Sequence, residues 1–517
     1  MTRAQAIAAV AAVCVITAVR IANTHGVFSP TYDEPAHIAG GYEYLTQHRY
    51  TFDTQHPPLA RILFAWPFRH ATTTVQGDEW IADILASRGN YMKGIMAARR
   101  GNLVFVVIAI IGVFLWANEL LGRVAAVVAC ALFAMLPPVL AHGGLATTDM
   151  AGAAAFPLAM LAMYRWLDSP TWARTIVLAI AIGFGLVTKL SFPLFFAIGA
   201  ITMMVAKRRF PIVKGIAAHL LAFVIVWGVY LWKHDRLYKF DSNAPAMATR
   251  IFGSPWIARR IRLPAPAFFH GLMVLKLHDR EGHEAYLLGQ VRPHGWWYYF
   301  PVVLAVKTPL PLLMLAGIGT WLAIKMRRLG HVAFIAFAML CAAMTSHINL
   351  GVRHLLPIYA PLSILAAFAI VTLWRTGASP VVRWGIAVLC AWLLIGSALA
   401  HPDYLPWMNA LAGRHPERVV VDSNFDWGQD VLRLSKECRK KGIKDLHAFL
   451  FGTVDYKRIG LPPTTYVDLF TAAPGWYALS ESAIIPAQVR DPVAYYWLTS
   501  SYRFQRIGKT IRLYHVE

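Results

Sequence analysis

Residues 102–121 read NLVFVVIAIIGVFLWANELL, and this run decides the class of the protein. At about 1.5 Å of rise per helical residue, such a run crosses the roughly 30 Å hydrocarbon core of a bilayer. Its polar residues, Asn102, Asn118 and Glu119, lie at the ends. Further runs of the same kind fall at 4–22, 124–141, 149–167, 174–188, 190–206, 215–232, 308–324, 332–347, 355–374 and 384–400, with Lys189 interrupting 174–206. The whole chain agrees: of 517 residues, 57% are hydrophobic and 15% charged, where soluble proteins have about 25% charged. A soluble globular protein is excluded, and a chain this rich in aromatic and apolar residues is not disordered. The expected fold class is an all-α polytopic membrane protein with about 11 transmembrane helices. Cys14, Cys130, Cys341, Cys390 and Cys438 show no paired spacing, so neither a disulfide framework nor a thiolate zinc site is expected.

Lys and Arg concentrate in alternate short loops, at Arg123, at Arg165 and Arg174, at Lys207, Arg208, Arg209 and Lys214, at Lys325, Arg327 and Arg328, and at Arg375 and Arg383. The opposite short loops, near 142–148 and 347–353, carry Arg353 alone of these two residue types. The positive-inside rule then places the N-terminus in the cytoplasm and the C-terminal segment outside. Much of the net charge of +22 is topological on this reading. The 4–22 run reads as a retained helix, because Arg20 ends it and no small-residue cleavage site precedes that point.

Three stretches are too polar to span, and all fall outside: 23–101, 233–295 and 401–517. Residues 1–400 therefore read as a transmembrane domain whose outer loops, 23–101 and 233–295, form one polar face. The aromatic run Trp296-Trp297-Tyr298-Tyr299-Phe300 belongs at a membrane interface, with a short surface helix before the span that follows Pro309. Arg259, Arg260 and Arg262 suit interfacial anchoring to lipid, and their outward placement argues against nucleic acid. In 401–517, short apolar runs at 418–421, 446–452 and 475–480 alternate with a polar helix near 428–441, the pattern of a small α/β domain.

Chemistry-bearing residues gather in the outer loops. Thr31-Tyr32-Asp33-Glu34-Pro35-Ala36-His37 sets two carboxylates side by side. Such a pair can supply a general base, while Asp before Glu-Pro is also an ordinary helix start. Phe52-Asp53-Thr54-Gln55-His56-Pro57-Pro58 presents Asp53 and His56 on backbone stiffened by two prolines; taken alone, a plain direction-changing loop is the favoured reading. His142 to Asp149 places an acid at the mouth of a span, where it either faces a cavity or caps the helix. In Asp422-Ser423-Asn424-Phe425-Asp426-Trp427-Gly428-Gln429-Asp430, helix capping is the favoured reading, with sugar stacking on Trp427 second.

Taken together, YDEPAHIAGGYEYLTQHRYTFDTQHPPLAR at 32–61 resembles the first outer loop of glycosyltransferase family 39, the protein O-mannosyltransferases and their bacterial relatives. TTDM at 147–150 resembles that family's second acid, and NLGVRHLLP at 349–357 its late arginine motif. GWWYYFPVVLAVKTPLPL at 295–312 and VDSNFDWGQD at 421–430 resemble a bacterial branch of polyprenyl-linked sugar transferases. The resemblance implies a GT-C fold in the inner (plasma) membrane, a polyprenyl-phosphate sugar donor, and transfer with inversion to an acceptor hydroxyl on a protein, glycan or lipid. It implies Asp33 as general base, Glu34 supporting the acceptor or a metal, and Asp149 completing the acidic side. Arg353, Lys189 and His354 would hold the donor phosphate, with His37 and Asp53 near the acceptor. In the related lipid A aminoarabinose transferases a metal-binding glutamate precedes the double proline. His56 stands there, and can ligate a divalent metal or simply hydrogen-bond; His283 is the candidate second ligand, with a solvated loop histidine the favoured alternative. A lipid transporter or flippase, or a non-catalytic sugar-lipid scaffold, are the competing readings, and the missing internal repeat counts against transport.

Overall fold

The computed structural model describes residues 1–73, 79–377, 379–470 and 473–517. Each of the eleven candidate spans is mainly helical. Among the described residues, six helices are long and apolar enough to cross a bilayer: Arg3–Ala22, Tyr91–Leu121, Asp149–Asp168, Ile212–Val229, Val352–Arg375 and Pro380–Leu399. Two bent pairs also qualify when each is taken together, Arg123–Ala134 with Pro137–Gly143 at 67°, and Tyr299–Lys307 with Leu310–Lys325 at 113°. Prolines at 137, 138 and 309 account for the breaks, since each lacks an N–H and clashes with the preceding turn. Trp172–Leu186, Phe192–Lys207 and Gly330–Ala343 are shorter apolar helices. The protein is a multi-pass membrane protein.

Burial sorts these helices. Asp149–Asp168 has 83% of its span buried in protein, because its AGAAAF run lets neighbouring helices approach closely. Ile212–Val229 and Pro380–Leu399 have 17% of theirs buried and turn apolar side chains such as Val213, Trp384 and Ile395 outward, as a lipid-facing helix does.

The 23–101 stretch contributes helices Glu34–Gln47 and Pro58–Ala65, which cross in backbone contact. Glycine makes the crossing possible: a Cβ on Gly41 would run into the carbonyl oxygen of Arg61. The 233–295 stretch holds helix Pro266–Glu281 and two short antiparallel ladders, His234–Arg236 with Arg262–Pro264 and Ala285–Leu287 with Gln290–Arg292.

Beyond residue 400 a five-stranded mixed sheet runs in the order Thr464–Tyr466, Leu446–Phe449, Gly475–Ser480, Ile511–Val516, Phe504–Ile507. The first three strands pair parallel and the last two join antiparallel. The strand expected at 418–421 does not form. Pro416–Arg418 and Asp422–Asn424 are 3-10 turns, and Asp422 sits in the left-handed region at φ 57°, so the chain bends away from the sheet. That bend carries residues 419–430 under the loops of the helical part. Ser29 N–H donates to Gln429 O at 3.0 Å, Tyr32 N–H to Trp427 O at 3.1 Å, and Leu288 N–H to Val419 O at 2.9 Å.

Candidate active site

Asp33 occupies the N-cap position of helix Glu34–Gln47, yet its side chain makes no capping bond. It accepts instead from Arg353, Nη1 to Oδ2 2.5 Å, and is 22% exposed. Arg353 stands in the 3-10 turn Val352–Ile358 and lies over the ring of Trp427, 4.4 Å from the centroid. Its Nε is buried with no partner among the described residues. The pair thus joins a partly open carboxylate to a guanidinium with donor capacity left over.

Glu34 requires a correction. The structure buries it completely and saturates its oxygens: Arg99 Nε and Nη2 each donate at 2.7 Å, Thr31 N–H and Ala146 N–H at 2.8 Å, and the Thr31 hydroxyl at 3.1 Å. Burial pushes its carboxyl up, but the Arg99 charge and these donors outweigh that and hold it below its ordinary value. Nothing on Glu34 is free for an acceptor or a metal. Arg99 spends its remaining three N–H groups on the carbonyls of His25, Phe28 and Ser29, so the pair fixes the loop that presents Asp33. Arg99, inside helix Tyr91–Leu121, was missed by sequence reasoning; its placement near the start of a span, where a charge needs a partner, was the available signal.

Asp149 opens the central helix but does not cap it; its carboxylate pairs with Lys189 Nζ, both largely buried. Lys189 sits at the break between Trp172–Leu186 and Phe192–Lys207 and packs along Gly152, where a Cβ would lie 3.1 Å from its Cδ. His56 Nδ1 lies 3.3 Å from the Thr148 hydroxyl, beside Asp149. His354 follows Arg353 in the same turn and feels the charges of Arg353, Lys189 and Asp149.

His37, Asp53 and His56 converge, each offering a ligand atom within 4.8 Å of the others. The two rings meet edge to face at 4.5 Å, and His37 Nδ1 is buried with no hydrogen-bond partner among the described residues. Burial pushes His37 well below and His56 below the ordinary histidine range, so both imidazoles are neutral, the form that binds metal. Asp53, at φ 49°, is held by Arg61 Nη2 at 2.6 Å. Two imidazoles and a carboxylate with an unsatisfied nitrogen fit a divalent ion such as zinc. His283 is not part of this group; it bonds His278, Nε2 to Nδ1 3.1 Å, and the second histidine beside His56 is His37.

The 421–430 motif is not a helix cap. None of Ser423, Asn424, Asp426 and Asp430 caps helix Val431–Lys441 through its side chain. Asn424 Oδ1 accepts from Val352 N–H at 3.0 Å and its Nδ2 donates to the Tyr299 hydroxyl at 2.9 Å. Asp426 accepts from the N–H of Ser482, and Asp430 from those of Lys509 and Thr510. The motif therefore bolts the sheet region to the arginine turn.

The fold has counterparts among solved structures. The chain superposes on ArnT from Cupriavidus metallidurans in the apo state with a TM-score of 0.52 and 14% identity, over 98% of this chain and 97% of that one. The fold is GT-C. The same protein bound to undecaprenyl phosphate gives a TM-score of 0.50 at 14% identity, over 99% and 98% of the two GT-C chains. Residues 79–232 match the family described as dolichyl-phosphate-mannose-protein mannosyltransferase, a segment that contains Arg99, Asp149 and Lys189. The matched segment holds one of the motifs behind the family resemblance, TTDM at 147–150, and the match fits that resemblance. No curated protein matches the chain.

Proposed function

We propose that this GT-C protein is a glycosyltransferase that moves a sugar from a polyprenyl-phosphate donor to an acceptor hydroxyl at the outer face of the inner membrane, with inversion. The observation that carries the reading is the Asp33–Arg353 pair, open on the carboxylate side and backed by Lys189 and Asp149. The acceptor O–H gives its proton to Asp33 as its oxygen attacks the anomeric carbon. The bond from that carbon to the phosphate oxygen breaks, and polyprenyl phosphate leaves as a stable anion that needs no acid. Arg353, with its unpaired Nε, can take phosphate oxygens through parallel hydrogen bonds, and Lys189 adds a point charge. A phosphate on Arg353 also releases Asp33 from its ion pair at the moment a base is required. His37, Asp53 and His56 would hold a divalent ion, which when bound would add positive charge to the anion-binding side. ArnT binds undecaprenyl phosphate, which supports this donor class. Loop charges support an N-terminus in the cytoplasm and a catalytic face outside.

The test is the purified protein in nanodiscs given undecaprenyl phosphates carrying labelled sugars. Release or transfer of label, lost in Asp33→Asn, is the expected result. If no donor is cleaved, or if labelled lipid crosses between leaflets intact, the transferase reading is overturned.

A further inference from the structure

A cavity of about 370 Å³ opens between the Ala285–Leu287 ladder, the 421–430 motif and helix Glu481–Arg490. Its volume lies near the lower end of ligand pockets, which run from about 300 to 1,000 Å³. Its lining includes the aromatic residues Tyr286, Phe449 and Phe451 and the polar residues Asp422, His283 and Ser482. Glu284 and Arg490 pair at its rim.

The cavity adjoins the Asp33–Arg353 pair. Phe451 stacks on Tyr32, the residue before Asp33, with centroids 5.4 Å apart and planes at 26°. The Thr453 hydroxyl donates to Tyr32 O at 2.7 Å. Both Arg353 and Asp33 act electrostatically on His283 and on Asp422.

Asp422 itself sits in the left-handed backbone region, φ 57°. Its N–H donates to Ser482 Oγ at 2.7 Å and one carboxylate oxygen accepts from Ser423 N–H. A carboxylate and aromatic rings lining one cavity suit a sugar, whose C–H face packs on an aromatic ring while its hydroxyls donate to the acid.

We propose that this cavity receives the acceptor, and that the acceptor is a saccharide held by Asp422 and the aromatic residues of the lining, with one hydroxyl directed at Asp33. This rests on the transferase reading and names the substrate class of that site. A peptide or a lipid acceptor is the alternative, and each becomes an outcome of the test.

The experiment uses the full-length protein in nanodiscs and three free disaccharides, cellobiose, lactose and diacetylchitobiose, read by saturation-transfer NMR. Wild type should saturate the pyranose protons of at least one. Ala483→Trp, which fills the cavity from the half-buried face of its helix, should remove that signal. Asp422→Asn, which keeps a residue tolerant of left-handed backbone, should weaken Kd tenfold or more. Both variants should keep the thermal shift that undecaprenyl phosphate gives wild type, showing that they fold. No saturation in wild type, a signal that survives Ala483→Trp, or label transferred to peptide or lipid instead would overturn the proposal. Failure of wild type to cleave any polyprenyl-phosphate donor would instead sink the transferase reading, whatever the disaccharides do.

Discussion

Arg353 Nη1 and Asp33 Oδ2 lie 2.5 Å apart although 320 positions separate them in the chain, and the indole of Trp427 lies under the guanidinium. On the proposed mechanism base and cation are stored as a pair, and a phosphate that claims Arg353 frees Asp33. Arg353→Lys keeps the charge but loses the planar fork and its stacking on Trp427. Its kcat/KM for sugar release should fall by about 10-fold to 100-fold, the order expected where bidentate recognition matters. Arg353→Ala should fall further, and a variant as active as wild type would exclude Arg353 from donor binding.

Asp33→Asn should lower kcat by roughly 10² to 10⁴-fold, the usual worth of a positioned general base. Binding of undecaprenyl phosphate should persist or tighten, because the residue that competes for Arg353 has lost its charge.

The Glu34–Arg99 pair makes a different prediction. Removing one partner, as in Arg99→Met, strands a buried carboxylate and should destabilise by about 3–5 kcal/mol. The measurement is the thermal midpoint in nanodiscs; an unchanged midpoint would contradict the positioning role.

Burial lifts the Asp422 carboxyl to about 6, against the opposing charge of Arg353 and the Ser423 N–H, with Asp33 pushing the same way as burial. A folded-state value above the unfolded one of about 3.9 means a stability contribution that is complete below that value and lost as pH rises through about 6. Asp422→Asn mimics the protonated form. The midpoint difference, variant minus wild type, should therefore grow between pH 4 and pH 7, on the order of the separation of those two values. A flat difference would place Asp422 in a more solvated setting.

Zinc should bind the purified protein at about one ion per chain. Mass-spectrometric metal content should drop in His56→Ala and His37→Ala and stay unchanged in His283→Ala. Retention of the ion in His56→Ala would move the site elsewhere.

How far the chain can be read without its fold depends on distance along it. The helices at 102–121 and 149–167 are legible because membrane residence is a matter of local composition, about twenty residues at a time. The YDEPAH and HPPLAR segments are legible as a site because their residue types and spacing lie within thirty positions. The placement of Glu34 is not, because its partner Arg99 is 65 positions away inside an apolar run. The strand expected at 418–421 fails for a similar reason: Val419, Val420 and Val421 favour extended backbone, but the contacts of Asp422, Asn424 and Trp427 with the arginine turn bend the chain.

Composition and loop charge alone establish a multi-pass membrane chain, and its motifs alone single out Asp33, His56, Asp149 and Arg353. Which of two adjacent carboxylates faces the cleft was decided by the tertiary structure. Asp33 and Glu34 have the same chemistry and nearly the same position, and the buried guanidinium of Arg99 takes up one of them completely. Desolvation explains the outcome: a carboxylate is stable inside the protein only where donors surround it, and packing alone determines where those donors converge.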